Sequence, residues 1–222
     1  MLVTPPPHIR EENMDMSFND ASWVWYTENE MPDTYGDFID KFNYAGDKTT
    51  IHISCDGDYT LFVNGNFVAS NQYGDFEHYK IYDSIDITDN LTIGENTILL
   101  TVWHFGISSL RYKKAKAGLL YEVESGGRML CKSDEKTLSR QNPNYKSNYQ
   151  KNITFQLGQS FLYDATKSCD EPFHNSVIVN KNCVMHPRPI RKSLLLKEKD
   201  ITILKNAGNN YLIDLGEETA GL

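Results

Sequence analysis

The sequence lacks several features that define whole classes of protein. No apolar run approaches the roughly 20 residues that a membrane-spanning helix needs, so we expect no membrane partner. The 22 basic residues are outnumbered by 30 acidic ones, giving a net charge of −8, and the basic residues form only short clusters. A nucleic-acid surface needs clustered Lys and Arg, so we expect no nucleic-acid partner. The N-terminus also lacks a basic start followed by an apolar stretch, and we expect a cytoplasmic protein unless a signal peptide has been removed.

Cysteine is also scarce, with four residues and no CxxC pair, which argues against a structural zinc site. Cys55 falls on the apolar face of a predicted strand, where a reduced buried thiol is ordinary. A disulfide between Cys169 and Cys183 is disfavoured in a reducing cytosol. We therefore expect no cofactor, apart from the structural calcium ion considered below.

The clearest pattern that is present runs from residue 51 to residue 68, IHISCDGDYTLFVNGNFV. Ile51, Ile53 and Cys55 alternate with polar residues, as in a strand with one buried face. The dipeptide Asn64-Gly65 suits the type I′ turn of a β-hairpin. The sequence therefore predicts an all-β protein, an antiparallel β-sandwich of the jelly-roll, galactose-binding-like kind with few short helices.

Other segments extend this pattern along the chain. Residues 97–105, TILLTVWHF, are the most apolar, which predicts a central strand covered on both faces. Residues 71–83 are rich in tyrosine and are predicted to form a loop. Residues 133–152 are polar and are predicted to cross the surface as a long excursion.

Two prolines at His186-Pro187-Arg188-Pro189 mark a predicted linker. We expect residues 1–187 to form an N-terminal carbohydrate-binding-like sandwich. Residues 188–222 then form the linker and the start of a second β domain, and we expect the chain to stop just inside that domain.

Trp103-His104 is the pair most suggestive of chemistry, because an indole stacks on sugar rings and an imidazole binds hydroxyls. Neighbours on a strand face opposite sides. We predict that Trp103 lies in the core, while His104 leads into a loop.

Three further aromatic residues are candidate carbohydrate contacts: Trp25, Tyr26 and Tyr73. Trp25 and Tyr26 belong to the segment WVWY at residues 23–26, for which core packing or an inter-domain contact is the alternative. Tyr73 lies in the tyrosine-rich loop. The alternative for this residue is that it packs the loop against the sandwich.

Acidic residues in turns are candidate Ca²⁺ ligands, since this ion takes six to eight oxygens. The candidates are Asp56 and Asp58, with Asp86 and Asp89 further along, although their spacing matches no EF-hand loop. The alternative is that these carboxylates cap backbone groups in turns. No acidic residue stands in a sequence context that predicts its desolvation.

Taken together, five segments resemble the N-terminal region of bacterial α-L-rhamnosidases: WVWY (23–26), SCDGDYTLFVNG (54–65), NQYGDFEHYKIYD (71–83), DITDNLTIGENTILLTVWHFG (86–106) and YLIDLGEETAGL (211–222). The resemblance implies an inverting glycoside hydrolase whose catalytic carboxylates lie in a downstream (α/α)₆ barrel. No catalytic residue is therefore expected within these 222 residues.

The resemblance implies a non-catalytic sandwich that supports the downstream domains of the same polypeptide and helps to present a rhamnoside. Two alternatives remain open at this point. One is an autonomous carbohydrate-binding module, and the other is a structural or dimerisation domain.

Overall fold

The computed structural model describes residue 18 and residues 20–148, 152–154, 158–167, 171–192, 200–208 and 210–216. The chain divides into two compact units, Met1–Pro189 and Ile190–Leu222. Within the described residues, no helix is long and apolar enough to cross a bilayer.

The described part of the larger unit is almost entirely β-structure, with a single 3₁₀ turn at Thr88–Asn90. Its strands are β1 (Val24–Trp25), β2 (Thr34–Tyr44), β3 (Thr49–Cys55), β4 (Asp58–Val63), β5 (Asn66–Gln72), β6 (Tyr79–Asp86), β7 (Gly94–His104), β8 (Leu119–Ser125), β9 (Arg128–Lys132), β10 (Leu138–Gln141), β11 (Asn152–Thr154), β12 (Gly158–Gln159), β13 (His174–Asn175), β14 (Val177–Ile178) and β15 (Val184–Pro187).

These strands form two main sheets. One has the order β14-β1-β8-β3-β6-β15, with β9 also paired to β8, and the other has the order β13-β10-β2-β7-β4-β5. Pairing is antiparallel except between β15 and β6, which run parallel at one edge of the first sheet. Strands β11 and β12 form a separate antiparallel pair.

Apolar residues from both sheets meet in one core. Ile51, Leu119 and Val123 come from the first sheet, and Leu61 and Leu100 from the second, and all five have no exposed surface. Two sheets packed through alternating inward residues define a sandwich. The predicted all-β antiparallel sandwich is confirmed.

The central hairpin forms as the sequence predicts. Strands β4 and β5 are joined by Asn64-Gly65, whose φ angles of 51° and 78° are those of a type I′ turn. Asn64 adds to the turn by accepting a hydrogen bond from the N–H of Thr97 on β7 at 3.0 Å.

Three local predictions are wrong. The tyrosine-rich segment becomes strand β6 from Tyr79 onward, because its backbone pairs with β3. Strand β7 is central, yet its residues alternate between buried and half-exposed positions, so only one of its faces is fully covered. Residues 133–152 contain strand β10, where Ser139 and Arg140 are buried against β2.

The smaller unit contains a hairpin of β16 (Thr202–Ala207) and β17 (Asn210–Asp214). Its apolar side chains are exposed, including Ile203, Leu204 and Leu212 at 55 %, 59 % and 55 %. The segment Glu217-Glu218, and the end of the chain at residues 220–222, lie outside the described residues.

The thiols of Cys55, Cys131 and Cys183 are free. Burial raises the pKa of both Cys55 and Cys131, which keeps these thiols protonated and unreactive. Cys169, the predicted alternative partner of Cys183, lies outside the described residues.

Gly57 joins β3 to β4 at a place where no side chain fits. Its φ is +100°, and an added Cβ would collide with the backbone carbonyl oxygen of Trp103. Gly65 has a φ of +78°, but an added Cβ there meets open space.

We predict that Gly57→Ala lowers the free energy of unfolding by at least about 2 kcal/mol, because strain and collision add together. Gly65→Ala is the matched control and should cost only about 1 kcal/mol, from the backbone conformation alone. Urea unfolding of both variants measures the difference, and equal losses would contradict the proposed collision.

Candidate functional site

One end of the sandwich is organised around the carboxylate of Asp56, which directly follows β3. This residue has no exposed surface, and its backbone N–H donates to the carbonyl of Gly118 at 2.9 Å. The pairing of β3 with β6 sets Ile53 opposite Asp83. Continuing that register by three residues brings Lys80 opposite Asp56. The strand pairing therefore places the Lys80 ammonium group beside the Asp56 carboxylate.

Lys80 is buried between two carboxylates, with 1 % of its side chain exposed. Its Nζ donates to Oδ1 of Asp56 at 2.9 Å and to Oδ1 of Asp75 at 2.7 Å. The other oxygen of Asp75 accepts from the N–H of Ile81 at 3.0 Å. A buried ammonium group is tolerated only when it is paired and hydrogen-bonded, and these two aspartates meet that requirement.

The second oxygen of Asp56 accepts hydrogen bonds from a histidine and a tyrosine. Nδ1 of His104 lies 2.8 Å away, and the hydroxyl of Tyr112 lies 2.6 Å away. An ionised carboxylate only accepts, so Nδ1 of His104 carries a proton. Nε2 of the same ring is 3.2 Å from Oε1 of Glu30, which is one-third exposed, in a geometry that does not form a hydrogen bond.

The electrostatics of this cluster favour its charged form. Burial raises the pKa of Asp56, but the hydrogen bond from His104 and the charge of Lys80 outweigh burial and hold that pKa well below its usual range. Burial lowers the pKa of His104, whereas its contacts with Asp56 and Glu30 raise it, and the net shift is upward. The pKa of Lys80 also rises, because Asp56 and Asp75 outweigh the burial effect.

This geometry contradicts the prediction that Asp56 is a calcium ligand, because both of its oxygens already accept from Lys80, His104 and Tyr112. It also corrects the expectation that no acidic residue is desolvated. Within the described part of the chain, no three His, Cys, Asp or Glu side chains gather as metal ligands. We therefore assign the Asp56 cluster a bracing role between strands and loops.

Trp103 lies on the opposite side of β7 from His104, facing outward. The register sets Tyr35 of β2 opposite Trp103, and Trp103 opposite Asp58 of β4. The rings of Tyr35 and Trp103 stack at 5.3 Å and 9°, and Nε1 of Trp103 donates to Oδ1 of Asp33 at 3.0 Å. Trp103 is partly exposed and His104 is fully buried, so the prediction that Trp103 lies in the core is wrong.

The other predicted aromatic contacts do not join Trp103. Trp25 is 1 % exposed and Tyr26 is 9 % exposed, and their rings pack together at 5.1 Å within the core. Their burial leaves no ring face for a sugar, which corrects this prediction. Tyr73 is half-buried, and its ring lies 5.2 Å beneath the guanidinium of Arg188.

Asp58 is the second acidic residue of the predicted calcium pair, and its environment differs from that of Asp56. Its Oδ1 is buried without a hydrogen-bond partner. Burial raises the pKa of Asp58 to about 7, and the charge of Arg111 only partly offsets this effect. Asp58 is therefore the carboxyl group of this surface that titrates near neutrality.

Sequence reasoning missed most of the residues that form these two clusters. The burial of Lys80 could have been suspected from the sequence, because this charged residue directly precedes the apolar residues Ile81 and Tyr82. The sequence carried no such signal for Glu30, Tyr35 and Tyr112, because their roles depend on which strands and loops become neighbours.

Comparison with known proteins shows where this architecture occurs. No family model matches the chain, and no curated protein matches its sequence. Among solved structures, the chain is similar to the GH78 family rhamnosidase of Bacillus sp. GL1, with 26 % identity and a TM-score of 0.71 over 78 % of this chain and 20 % of that one.

Two further structures share the fold at 18 % identity. The α-L-rhamnosidase from Dictyoglumus thermophilum has a TM-score of 0.60 over 88 % of this chain and 25 % of its own. The native α-L-rhamnosidase from Aspergillus terreus has a TM-score of 0.58 over 90 % of this chain and 26 % of its own.

The chain thus has the fold of a β-sandwich domain found within larger enzymes, and it spans about a fifth to a quarter of their length. The predicted resemblance to the N-terminal part of an α-L-rhamnosidase is confirmed by these matches.

We predict that Lys80→Met lowers the free energy of unfolding by about 3–5 kcal/mol, because it leaves two buried carboxylates without their cation. The control is Lys41→Met, which removes the exposed ion pair with Glu95 and should cost about 0–1 kcal/mol. Chemical denaturation at pH 7 measures both, and a loss at Lys80 as small as at Lys41 would rule out the bracing role.

The raised pKa of Asp58 predicts how the free energy of unfolding changes with pH. Its pKa is about 7 in the folded chain and about 3.8 when unfolded, so the folded state binds the proton more tightly. Stability from this group is complete below pH 4 and falls as the pH rises to about 7.

Asp58→Asn should therefore stabilise the protein by about 2–4 kcal/mol at pH 8 and change little at pH 4. Asp86→Asn is the control, since hydrogen bonds from Thr88 lower the pKa of that exposed carboxyl, and it should give no gain at pH 8. Thermal unfolding across this pH range tests both, and a gain at Asp58 that does not depend on pH would refute the assignment.

Proposed function

We propose that this chain is a non-catalytic β-sandwich region of an α-L-rhamnosidase-like glycoside hydrolase that acts on terminal α-L-rhamnosides. The observation that carries the proposal is the 26 % identity to the Bacillus sp. GL1 rhamnosidase over 78 % of the chain. The hydrolysis itself takes place in polypeptide outside these 222 residues.

The placement of the acidic residues supports a non-catalytic role. Inverting hydrolysis needs two carboxyl groups about 6.5–9.5 Å apart on either side of a sugar, with room for a water. Asp56 is engaged by three donors within the fold, and Oδ1 of Asp58 is closed off from solvent. Asp56 is therefore unavailable to a substrate, and so is Oδ1 of Asp58.

The second unit supports the proposal that the chain works with other domains of the same polypeptide. An isolated two-stranded hairpin is marginally stable in water. Strands β16 and β17 nevertheless expose Ile203, Leu204, Leu212 and Ile213. Further β-structure of the parent protein is the partner that we propose for these side chains.

A cytoplasmic location is part of the proposal. Free thiols at Cys55, Cys131 and Cys183 suit a reducing compartment.

An autonomous sugar-binding role is the second candidate function. It is favoured by the partly exposed ring of Trp103, which is fixed in place by Tyr35 and Asp33. Aromatic rings held rigidly at a surface present apolar area at little entropic cost.

We predict that the purified 222-residue chain releases no 4-nitrophenol from 4-nitrophenyl α-L-rhamnoside, because we propose that the catalytic carboxylates belong to the downstream part of the parent protein. The parent polypeptide that includes the downstream domains should release it, and should leave 4-nitrophenyl β-D-galactoside intact. Absorbance at neutral pH follows both reactions. Turnover by the 222-residue chain alone would overturn the non-catalytic assignment, and an inactive parent would overturn the rhamnosidase assignment.

A further inference from the structure

A polar groove of about 720 Å³ opens beside strand β10, separate from the Asp56 cluster. Residues 141–143 and 145–148 line one side of it, and Lys167, Glu171 and Pro172 line the other. This volume lies within the range of about 300–1,000 Å³ that is usual for small-ligand sites.

The floor of the groove is held by hydrogen bonds from one asparagine. Oδ1 of Asn142 accepts from the N–H groups of Asn144 and Tyr145 at 2.9 and 3.1 Å. Its Nδ2 donates to Oδ1 of Asp37 on β2 at 2.8 Å. The loop that carries the groove is therefore tied to the sheet, which limits the entropy that ligand binding would cost.

The far wall of the groove is tied to the same floor. Nδ2 of Asn144 donates to the carbonyls of Asp164 and Lys167 at 3.0 and 3.2 Å. Nη1 of Arg140 donates to the carbonyl of Glu171 at 2.8 Å. Both walls are thus anchored through their backbones, which leaves the Lys167 and Glu171 side chains exposed.

Tyr145 gives the groove an apolar element in a fixed position. Its ring stacks on Tyr35 at 4.2 Å and 7°, and Tyr35 in turn stacks on Trp103. The rings of Tyr163 and Phe161 also pack against Tyr145, at 4.9 and 5.9 Å. The half-buried ring of Tyr145 therefore continues the aromatic row of the outer sheet face to the groove.

The side chains around the groove offer both donors and acceptors. Gln141 and Asn148 are exposed amides, Ser147 is a hydroxyl, Lys167 donates and Glu171 accepts. A sugar hydroxyl is itself both donor and acceptor, and a pyranose also presents C–H groups to aromatic rings. Opposite charges at Lys167 and Glu171 suit a neutral ligand better than an anion.

We propose that this groove binds a neutral saccharide of one or two rings, with the exposed part of the Tyr145 ring contacting the ring carbons, and Asn148, Lys167 and Glu171 contacting the hydroxyls. This inference deepens the proposed function and rests on it for the choice of rhamnose as the first sugar to test.

Calorimetric titration of the 222-residue chain with L-rhamnose, and separately with D-galactose, tests the proposal. We expect saturable binding of at least one sugar with a Kd below about 10 mM. Asn148→Gly removes an amide without strain, because Asn148 has a φ of 60° that glycine adopts freely. Asn148→Gly and Lys167→Ala should each weaken binding about five-fold, the loss of one hydrogen bond.

The matched control is Lys136→Ala, an exposed lysine outside the groove, which should bind sugar like the wild type. Thermal unfolding verifies that all three variants are folded. The groove assignment would be overturned if neither L-rhamnose nor D-galactose showed saturable binding. It would also be overturned if Asn148→Gly and Lys167→Ala bound sugar with the same affinity as the wild type. Binding of inorganic phosphate without binding of sugar would overturn it as well.

These outcomes are separate from those for the parent enzyme. A parent that hydrolyses the aryl rhamnoside while the chain binds no sugar refutes the groove alone. An inactive parent whose groove binds galactose refutes the rhamnosidase assignment and supports the groove.

Discussion

The buried ion cluster at Asp56 is the constraint on which this end of the sandwich depends. A single carboxylate, placed by the end of β3, receives Lys80 from β6, His104 from β7 and Tyr112 from the loop that follows β7. Each group is costly to bury by itself, and each is compensated only when all are in place. We infer that the cluster favours this arrangement of strands and loops over alternatives that would leave one of its charges unpaired.

The alternation along β7 separates two kinds of surface. Every second residue of β7 faces the core, and the last of these inward residues is His104. The residues between them face outward, and the last of these is Trp103. The inward side is therefore charged and buried at this end, while the outward side is aromatic and partly exposed at Trp103. The buried Asp56 cluster and the proposed sugar-binding surface therefore lie on opposite sides of one strand, so changes to one need not disturb the other.

The sequence was sufficient for features governed by neighbouring residues. Asn64-Gly65 predicted the hairpin, and the alternation of Ile51, Ile53 and Cys55 predicted strand β3. The prediction that only one face of β3 is buried is wrong, because His52 and Ser54 are buried too. It was insufficient where distant segments meet. Lys80 is buried because register brings it opposite Asp56, and the phase of β7 was assigned wrongly because Trp103 is more apolar than His104. Composition favoured tryptophan for the core, but His104 is buried instead, where its Nδ1 hydrogen-bonds to Asp56.

The two edges of the seven-stranded sheet are formed by its latest strands, β14 beside β1 and β15 beside β6. Both are short, and β15 ends in a proline, which protects a sheet edge against pairing with another molecule. During synthesis on the ribosome, however, β1 and β6 emerge long before these two edge strands. One edge of each strand therefore lacks its backbone partner until β14 and β15 have been synthesised, and unpaired edges of this kind are where a nascent chain is exposed to aggregation.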